Sequence, residues 1–343
     1  MREGSDWPSG SIQRFAHRSV VLADNPWGDR CDRELCVYLP PDYSESGAPL
    51  ASLWDFAAFT NSGPGHLNWR HHGENLHQRL DRLIGAGLMP PVVVAMPDCY
   101  TSLGGNQYLN SPSVGRYADY ILLELLPLLE QRVNVASEAG RRGAFGKSSG
   151  GYGALTQAMR SPGVWGAVAC HAGDVGFETV YRRDFPVACG VLDRVDWDIE
   201  GFLRGFWASP RPTRADYTTL MVLAMAASYD PDPDAPRRIR LPFTPRTCEP
   251  IPERWANWMA HDPLVLVEGH GAALTGLRAL YLDVGTRDEY HIQYGTRALS
   301  ARLERLGIDH HFEEFEGGHT GTDWRLDISL PFIARALESG PDS

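Results

Sequence analysis

The stretch Gly143-Ala144-Phe145-Gly146-Lys147-Ser148-Ser149-Gly150-Gly151-Tyr152-Gly153-Ala154 decides how this chain is read. Residues 143–146 read as the end of a short strand. Residues 150–160 read as a helix. Between them lies G-x-S-x-G, with Ser148 at its centre. A strand-to-helix turn this tight has room only for small neighbours, which Gly146 and Gly150 supply. The turn lifts the Ser148 hydroxyl out of the sheet edge. It also points the backbone N–H of Ser149 to where negative charge develops on an attacked carbonyl. Ser149 itself fails the register, because Lys147 rather than glycine stands two positions before it.

Gly146-Lys147-Ser148 could also end a phosphate-binding loop, with Asp98 as the acidic magnesium ligand. That loop needs a glycine five positions before Gly146. Arg141 stands there, and Gly140 and Gly143 are out of register, so the phosphate reading fails.

Outward from the motif, apolar runs alternate between strand-like and helix-like patterns. Strands are expected at 19–23, 34–39, 50–56, 91–96, 165–171, 277–284 and 310–315. Helices are expected at 117–132, 293–306 and 324–337. Pro127 should kink the first or open a second segment, and Gly307 should close the second. The run 91–96 is continuously apolar, as in a strand covered on both faces. This alternation predicts an α/β fold, a mostly parallel central sheet with helices on both faces.

Residues 175–273 break the pattern. They are helical and irregular, rich in Trp, Tyr and Phe, with a proline-rich stretch at 230–245. We read them as an inserted helical lid or cap that interrupts a core made of 1–174 and 274–343.

A serine nucleophile needs a base and an acid that orients it, here in the chain order Ser, Asp/Glu, His. His319 follows the expected last strand on the flexible Glu316-Gly317-Gly318. Asp288 follows the strand before it, in Gly285-Thr286-Arg287-Asp288-Glu289. Asp283 lies within that strand and reads as structural, which leaves Glu289 as the fallback acid. The cluster His66, His71, His72 and His77 lacks the spacing of a zinc-binding helix. Cys31 and Cys36 have no second pair to complete a zinc site, so the six cysteines read as free thiols. No metal and no organic cofactor are expected.

Composition bounds the rest. The chain of 343 residues is 43% hydrophobic and 22% charged, with a net charge of −11, as for a globular protein without a broad nucleic-acid or anionic-membrane surface. Residues 1–10 have no apolar stretch of a signal peptide, and no run approaches the roughly 20 apolar residues that span a bilayer. A cytoplasmic location is the expectation. Lys147 is the only lysine among the 32 basic residues. It either adds positive potential beside the nucleophile or forms a local salt bridge.

Five segments carry a family resemblance. They are Val37-Tyr38-Leu39-Pro40-Pro41-Asp42-Tyr43, Pro90 to Val94 with Pro97-Asp98, Gly146 to Ala154, Val284 to Glu289, and Gly317-Gly318-His319. In this order they resemble the esterase D / enterochelin-esterase-like branch of the α/β-hydrolases. The resemblance implies the α/β-hydrolase fold and a Ser-His-Asp triad acting on a small-molecule ester. Ser148 would be the nucleophile, Asp288 the acid and His319 the base. It also implies a homodimer as one assembly, since members of this branch often dimerise. Some members transfer the acyl group to an alcohol, so an acyltransferase is an alternative. A catalytically silent binding protein is another, because Ala57-Ala58 replaces the family's His-Gly. The oxyanion hole would then combine the N–H of Ser149 with that of Phe59 or Ala58. Trp69, Asn106, Tyr108 and Asp174 are the candidate pocket residues, with aromatics of the insertion.

Overall fold

The computed structural model describes residues 7–338. Eight strands form one sheet: β1 (Ser11–Arg18), β2 (Asp32–Leu39), β3 (Ser52–Phe56), β4 (Val93–Pro97), β5 (Arg142–Lys147), β6 (Ala167–His171), β7 (Ala279–Gly285) and β8 (His311–Phe315). Their order across the sheet is β1-β2-β4-β3-β5-β6-β7-β8. β2 runs antiparallel to both β1 and β4. Every other pairing is parallel. β3, β4 and β6 are buried along their length, and β4 accordingly reads as an unbroken apolar run.

Among the described residues, ten helices of seven or more residues surround the sheet: α1 (Leu76–Gly85), α2 (Leu126–Arg132), α3 (Ser149–Arg160), α4 (Phe185–Asp193), α5 (Ile199–Ala208), α6 (Arg214–Tyr229), α7 (Pro252–Met259), α8 (Pro263–His270), α9 (Ile292–Arg305) and α10 (Leu326–Glu338). α1 and α10 bury Leu80, Leu83, Leu330 and Ile333 on one face. α2, α3 and α9 bury Leu129, Leu155 and Leu299 on the other. α1 starts at a capping box, in which Asn75 and Gln78 exchange side-chain and backbone hydrogen bonds. Pro127 sits in the first turn of α2, after a π-helical stretch at Tyr120–Leu125. Gly307 ends α9 at φ 69°, a conformation open to glycine without strain.

The strand expected at 19–23 is not there. That segment is a turn in which Val20 is exposed, and the Val20 and Val21 N–H groups donate to the Glu124 carboxylate. The edge strand is instead Ser11–Arg18, whose side chains are at most half-buried. An edge strand covered so thinly carries little apolar signal, whereas the turn Val20-Val21-Leu22, in which only Leu22 enters the core, mimics one.

α4 to α8 lie between β6 and β7, within the interrupting region. They do not form a core of their own. The Tyr152 ring of α3 lies 6.1 Å from Phe177, tilted, and 5.9 Å from Tyr229, edge-on, and Tyr229 lies 5.5 Å from Trp258. The Tyr152 hydroxyl donates to the His261 carbonyl at 3.0 Å. These rings join the insertion to the sheet in one continuous apolar cluster. Four cysteines are buried, Cys31 and Cys248 are half-buried, and all six are free. Among the described residues, no helix is long and apolar enough to cross a membrane.

Candidate active site

β5 ends at Lys147 and α3 begins at Ser149, so Ser148 alone makes the turn. Its φ of 56° and ψ of −125° are strained for a residue with a Cβ. Two backbone bonds hold it: Ser148 N–H to the His171 carbonyl at 2.9 Å, and Tyr152 N–H to the Ser148 carbonyl at 2.8 Å. Gly150 lets the turn press against β3. A Cβ there would lie 1.8 Å from the Phe56 carbonyl oxygen. This contact brings the loop after β3, Ala57 to Thr60, beside the first turn of α3.

In that loop the N–H groups of Ala58 and Phe59 make no hydrogen bond among the described residues, while Thr60 N–H donates to the Gly104 carbonyl at 2.6 Å. The Ser149 N–H opens α3, where a helix leaves its donors without internal partners. Ala58 and Phe59 keep ordinary negative φ, and the positive φ falls on Thr60 at 66°. The Ala58 methyl group therefore costs nothing where the family has glycine.

The loops after β7 and β8 are tied together. Thr286 N–H donates to the Phe315 carbonyl and Arg287 N–H to that of Gly317, each at 2.9 Å. Gly285 permits this approach, since a Cβ would lie 2.6 Å from the Gly317 and Gly318 oxygens. The tie places Asp288 Oδ2 2.7 Å from His319 Nδ1, with both side chains buried. Glu289, the fallback acid, accepts the His319 backbone N–H at 2.6 Å and so holds the loop rather than the ring.

Asp283 belongs to a different network. It lies 2.8 Å from His171 Nδ1 and accepts from Arg325 Nε at 2.7 Å. His171 Nε2 meets Ser329 Oγ at 2.8 Å. The trio Ser329, His171 and Asp283 copies the order of a catalytic relay, but Ser329 is 0% exposed and no substrate reaches it.

Ser148 and His319 line one cavity of about 810 Å3. Its walls include Phe59 and Ala58 from the β3 loop, Tyr290 from the β7 loop, and Tyr181, Arg183, Asp184, Arg214 and Met221 from the insertion. In the resting arrangement Ser148 Oγ leans on Asp174 Oδ1 at 3.4 Å. Asp174 Oδ2 accepts from Tyr181 at 2.7 Å, Gln107 at 3.1 Å and Ser149 Oγ at 3.3 Å. Burial pushes the Asp174 carboxyl above its ordinary range, against the pull of those donors and of His319. A smaller cavity of about 140 Å3 lies against the other side of Lys147 and Ala58. It holds His66, whose Nδ1 is 2.5 Å from Asp55 Oδ2.

Of the four pocket residues expected from sequence, Asp174 lines the cavity and three do not. Trp69 is 79% exposed, away from both cavities. Asn106 is buried and donates to the Cys99 carbonyl at 2.7 Å. Tyr108 is buried under the turn, stacked 4.5 Å from Phe56, with its hydroxyl donating to the Ala57 carbonyl at 2.7 Å. The salt bridge considered for Lys147 is not formed: its ammonium has no hydrogen bond or ion pair among the described residues. Burial pulls it below its ordinary value, opposed by the charges of Asp323, Asp288 and Glu289. Sequence reading missed Tyr181, Arg183, Asp184, Arg214 and Tyr290. Only the aromatic content of the insertion hinted that this region covers something.

An eight-stranded, mostly parallel sheet that carries a strained serine at the end of β5, with an acid and a histidine after β7 and β8, defines the α/β-hydrolase class. Residues 30–332 match the Esterase family model, described as "Putative esterase", and the chain belongs to that family. The fold is shared with a ferulic acid esterase (TM-score 0.62, 17% identity, covering 96% of this chain and 99% of that one). It is also shared with an S-formylglutathione hydrolase from Staphylococcus aureus (TM-score 0.58, 14% identity, 96% and 99% covered). A curated relative is the uncharacterized protein YbbA of Bacillus subtilis (strain 168), 25% identical over 158 residues. That match spans 43% of this chain and 59% of the relative, under two thirds of its length.

Proposed function

We propose that this protein is a serine esterase that cleaves carboxylic esters through an acyl-enzyme. The observation that carries this reading is the 2.7 Å Asp288–His319 bond in the same cavity as a serine held at φ 56°. Ser148 Oγ turns from Asp174 to His319, which takes its proton as Oγ attacks the ester carbonyl. Asp288 fixes the imidazole tautomer and stabilises the imidazolium. The N–H of Ser149, with that of Phe59 or Ala58, receives the oxyanion. One such donor contributes about 2.7–4 kcal/mol in comparable sites. His319 returns its proton to the leaving alcohol, and water then attacks the acyl-Ser148 with His319 again as base.

Asp174 bears on the same step. A fully charged carboxylate beside Ser148 would oppose the developing oxyanion. Its burial favours the neutral form, and its donors absorb what charge remains. The insertion walls the cavity with Tyr181, Arg214 and Met221, which is the role of a cap over the acyl or alcohol part of the ester.

A fluorophosphonate probe tests the reading. Intact-mass measurement should show one adduct on the wild-type protein and none on Ser148→Ala. An adduct that persists in the variant, or none on the wild type, overturns it.

A further inference from the structure

The charged groups around the catalytic cavity are unevenly satisfied. Each carboxylate already has protein partners. Asp174 accepts from Tyr181, Gln107 and the two serines. Asp184 pairs with Arg183 at 3.6 Å. Glu289 accepts from the His319 N–H. The cations differ. Arg183 donates to the Glu289 carbonyl at 2.7 Å and lies over the Tyr290 ring. Among the described residues, the side chains of Lys147 and Arg214 make no hydrogen bond and no ion pair.

Lys147 is half-buried, yet every acid in its neighbourhood is engaged elsewhere. Asp323 pairs with Arg70, Asp288 with the His319 ring, and Glu289 with the His319 backbone. Arg214 opens α6, just after its Thr213 cap. A cation at a helix N-terminus faces the positive end of the helix dipole, an unfavourable placement. It persists here with no carboxylate in contact, on the wall of the catalytic cavity. In a chain with 43 acidic against 32 basic residues, a counter-ion was available in quantity. Arg214 is exposed and its charge acts on Asp184 without contact, so its guanidinium, like the Lys147 ammonium, is open to a group that arrives with the ligand.

We propose that the cavity selects carboxylate-bearing esters, with Lys147 and Arg214 as the residues that hold the anionic group. This rests on the esterase reading above. The arginine offers a planar fork matched to a carboxylate, and the lysine a point charge near the reacting centre. A hydrogen bond to a charged group carries about 1.5–3 kcal/mol, so each contact is expected to change selectivity about ten- to a hundredfold.

Matched substrates read this directly. 4-Carboxyphenyl butyrate against 4-carbamoylphenyl butyrate places the charge on the alcohol. The 4-nitrophenyl monoester of adipic acid against that of adipamic acid places it on the acyl chain. The charged member of one pair should be favoured about tenfold or more in kcat/KM, and Lys147→Met and Arg214→Gln should each lower that ratio. A wild-type ratio near one in both pairs, or an undiminished ratio in the double variant, overturns the proposal while leaving the esterase reading intact.

A second readout does not need turnover. Reductive methylation with 13C-formaldehyde labels Lys147 as the sole lysine, apart from the chain's amino terminus. Its signal should move on titration with 4-hydroxybenzoate and stay with 4-hydroxybenzamide. A signal that ignores the carboxylate counts against the proposal. A signal that follows it in a protein without a fluorophosphonate adduct supports the site and sinks the esterase reading alone.

Discussion

Two aspartates on or just after one strand part company at the level of single residues. Asp288→Asn should leave the fold intact and cost about 10,000-fold in kcat, because the wrong imidazole tautomer then faces Ser148. Asp283→Asn should instead cost about 3–5 kcal/mol of stability, since it removes the buried charge shared by His171 and Arg325 and leaves Arg325 only its Glu313 ion pair. Kinetics and urea titration of both variants check this, and equal kinetic losses would sink the assignment. His66 gives the pH test. Burial lowers its pKa, but the Asp55 charge and hydrogen bond outweigh that and leave it raised. A raised folded value means that the pair's stabilisation is complete below the unfolded value of about 6.5 and is lost as pH rises through the folded one. Stability of the wild type should therefore fall over that window more than that of His66→Gln, measured by urea midpoints at stepped pH.

At the scale of elements, the turn between β5 and α3 was legible because its constraints are local: glycine where β3 presses in, serine at the apex, a helix behind. Gly150→Ala puts a methyl group into the Phe56 carbonyl. It should cost more than about 4 kcal/mol or abolish soluble expression, and a wild-type melting temperature would contradict the packing described. Ala58→Gly is the counter-test. Since Ala58 keeps an ordinary φ, restoring glycine should lower stability by about 0.4–1 kcal/mol through unfolded-state entropy, with no gain in rate. Less local features were harder to read. β1 hid because an edge strand needs few apolar residues. Asn106 and Tyr108 sit on a loop at the catalytic edge, yet they turn inward to bind the Cys99 and Ala57 carbonyls. Hydrogen-bond bookkeeping of that kind exists only once the chain is folded. Lys147 was visible in the sequence, but its lack of a contacting carboxylate among the described residues was not.

For the whole molecule, the division into core and insertion describes the path of the chain, not two units of stability. Tyr152, Phe177, Tyr229 and Trp258 bind the two parts into one cluster. Calorimetry should accordingly show a single unfolding transition, and excision of 175–273 should unfold the rest rather than release an open enzyme. Two resolved transitions would contradict this. The same path orders events in time. Ser148 follows β5, whereas Asp288 and His319 follow β7 and β8 in the last fifth of the sequence. At about 5–20 residues per second, a ribosome delivers the proposed nucleophile on the order of ten to thirty seconds before the proposed base. Throughout that interval the growing polypeptide displays Ser148 without His319, so on the esterase reading a nascent chain is inert toward every ester it meets until His319 has been made.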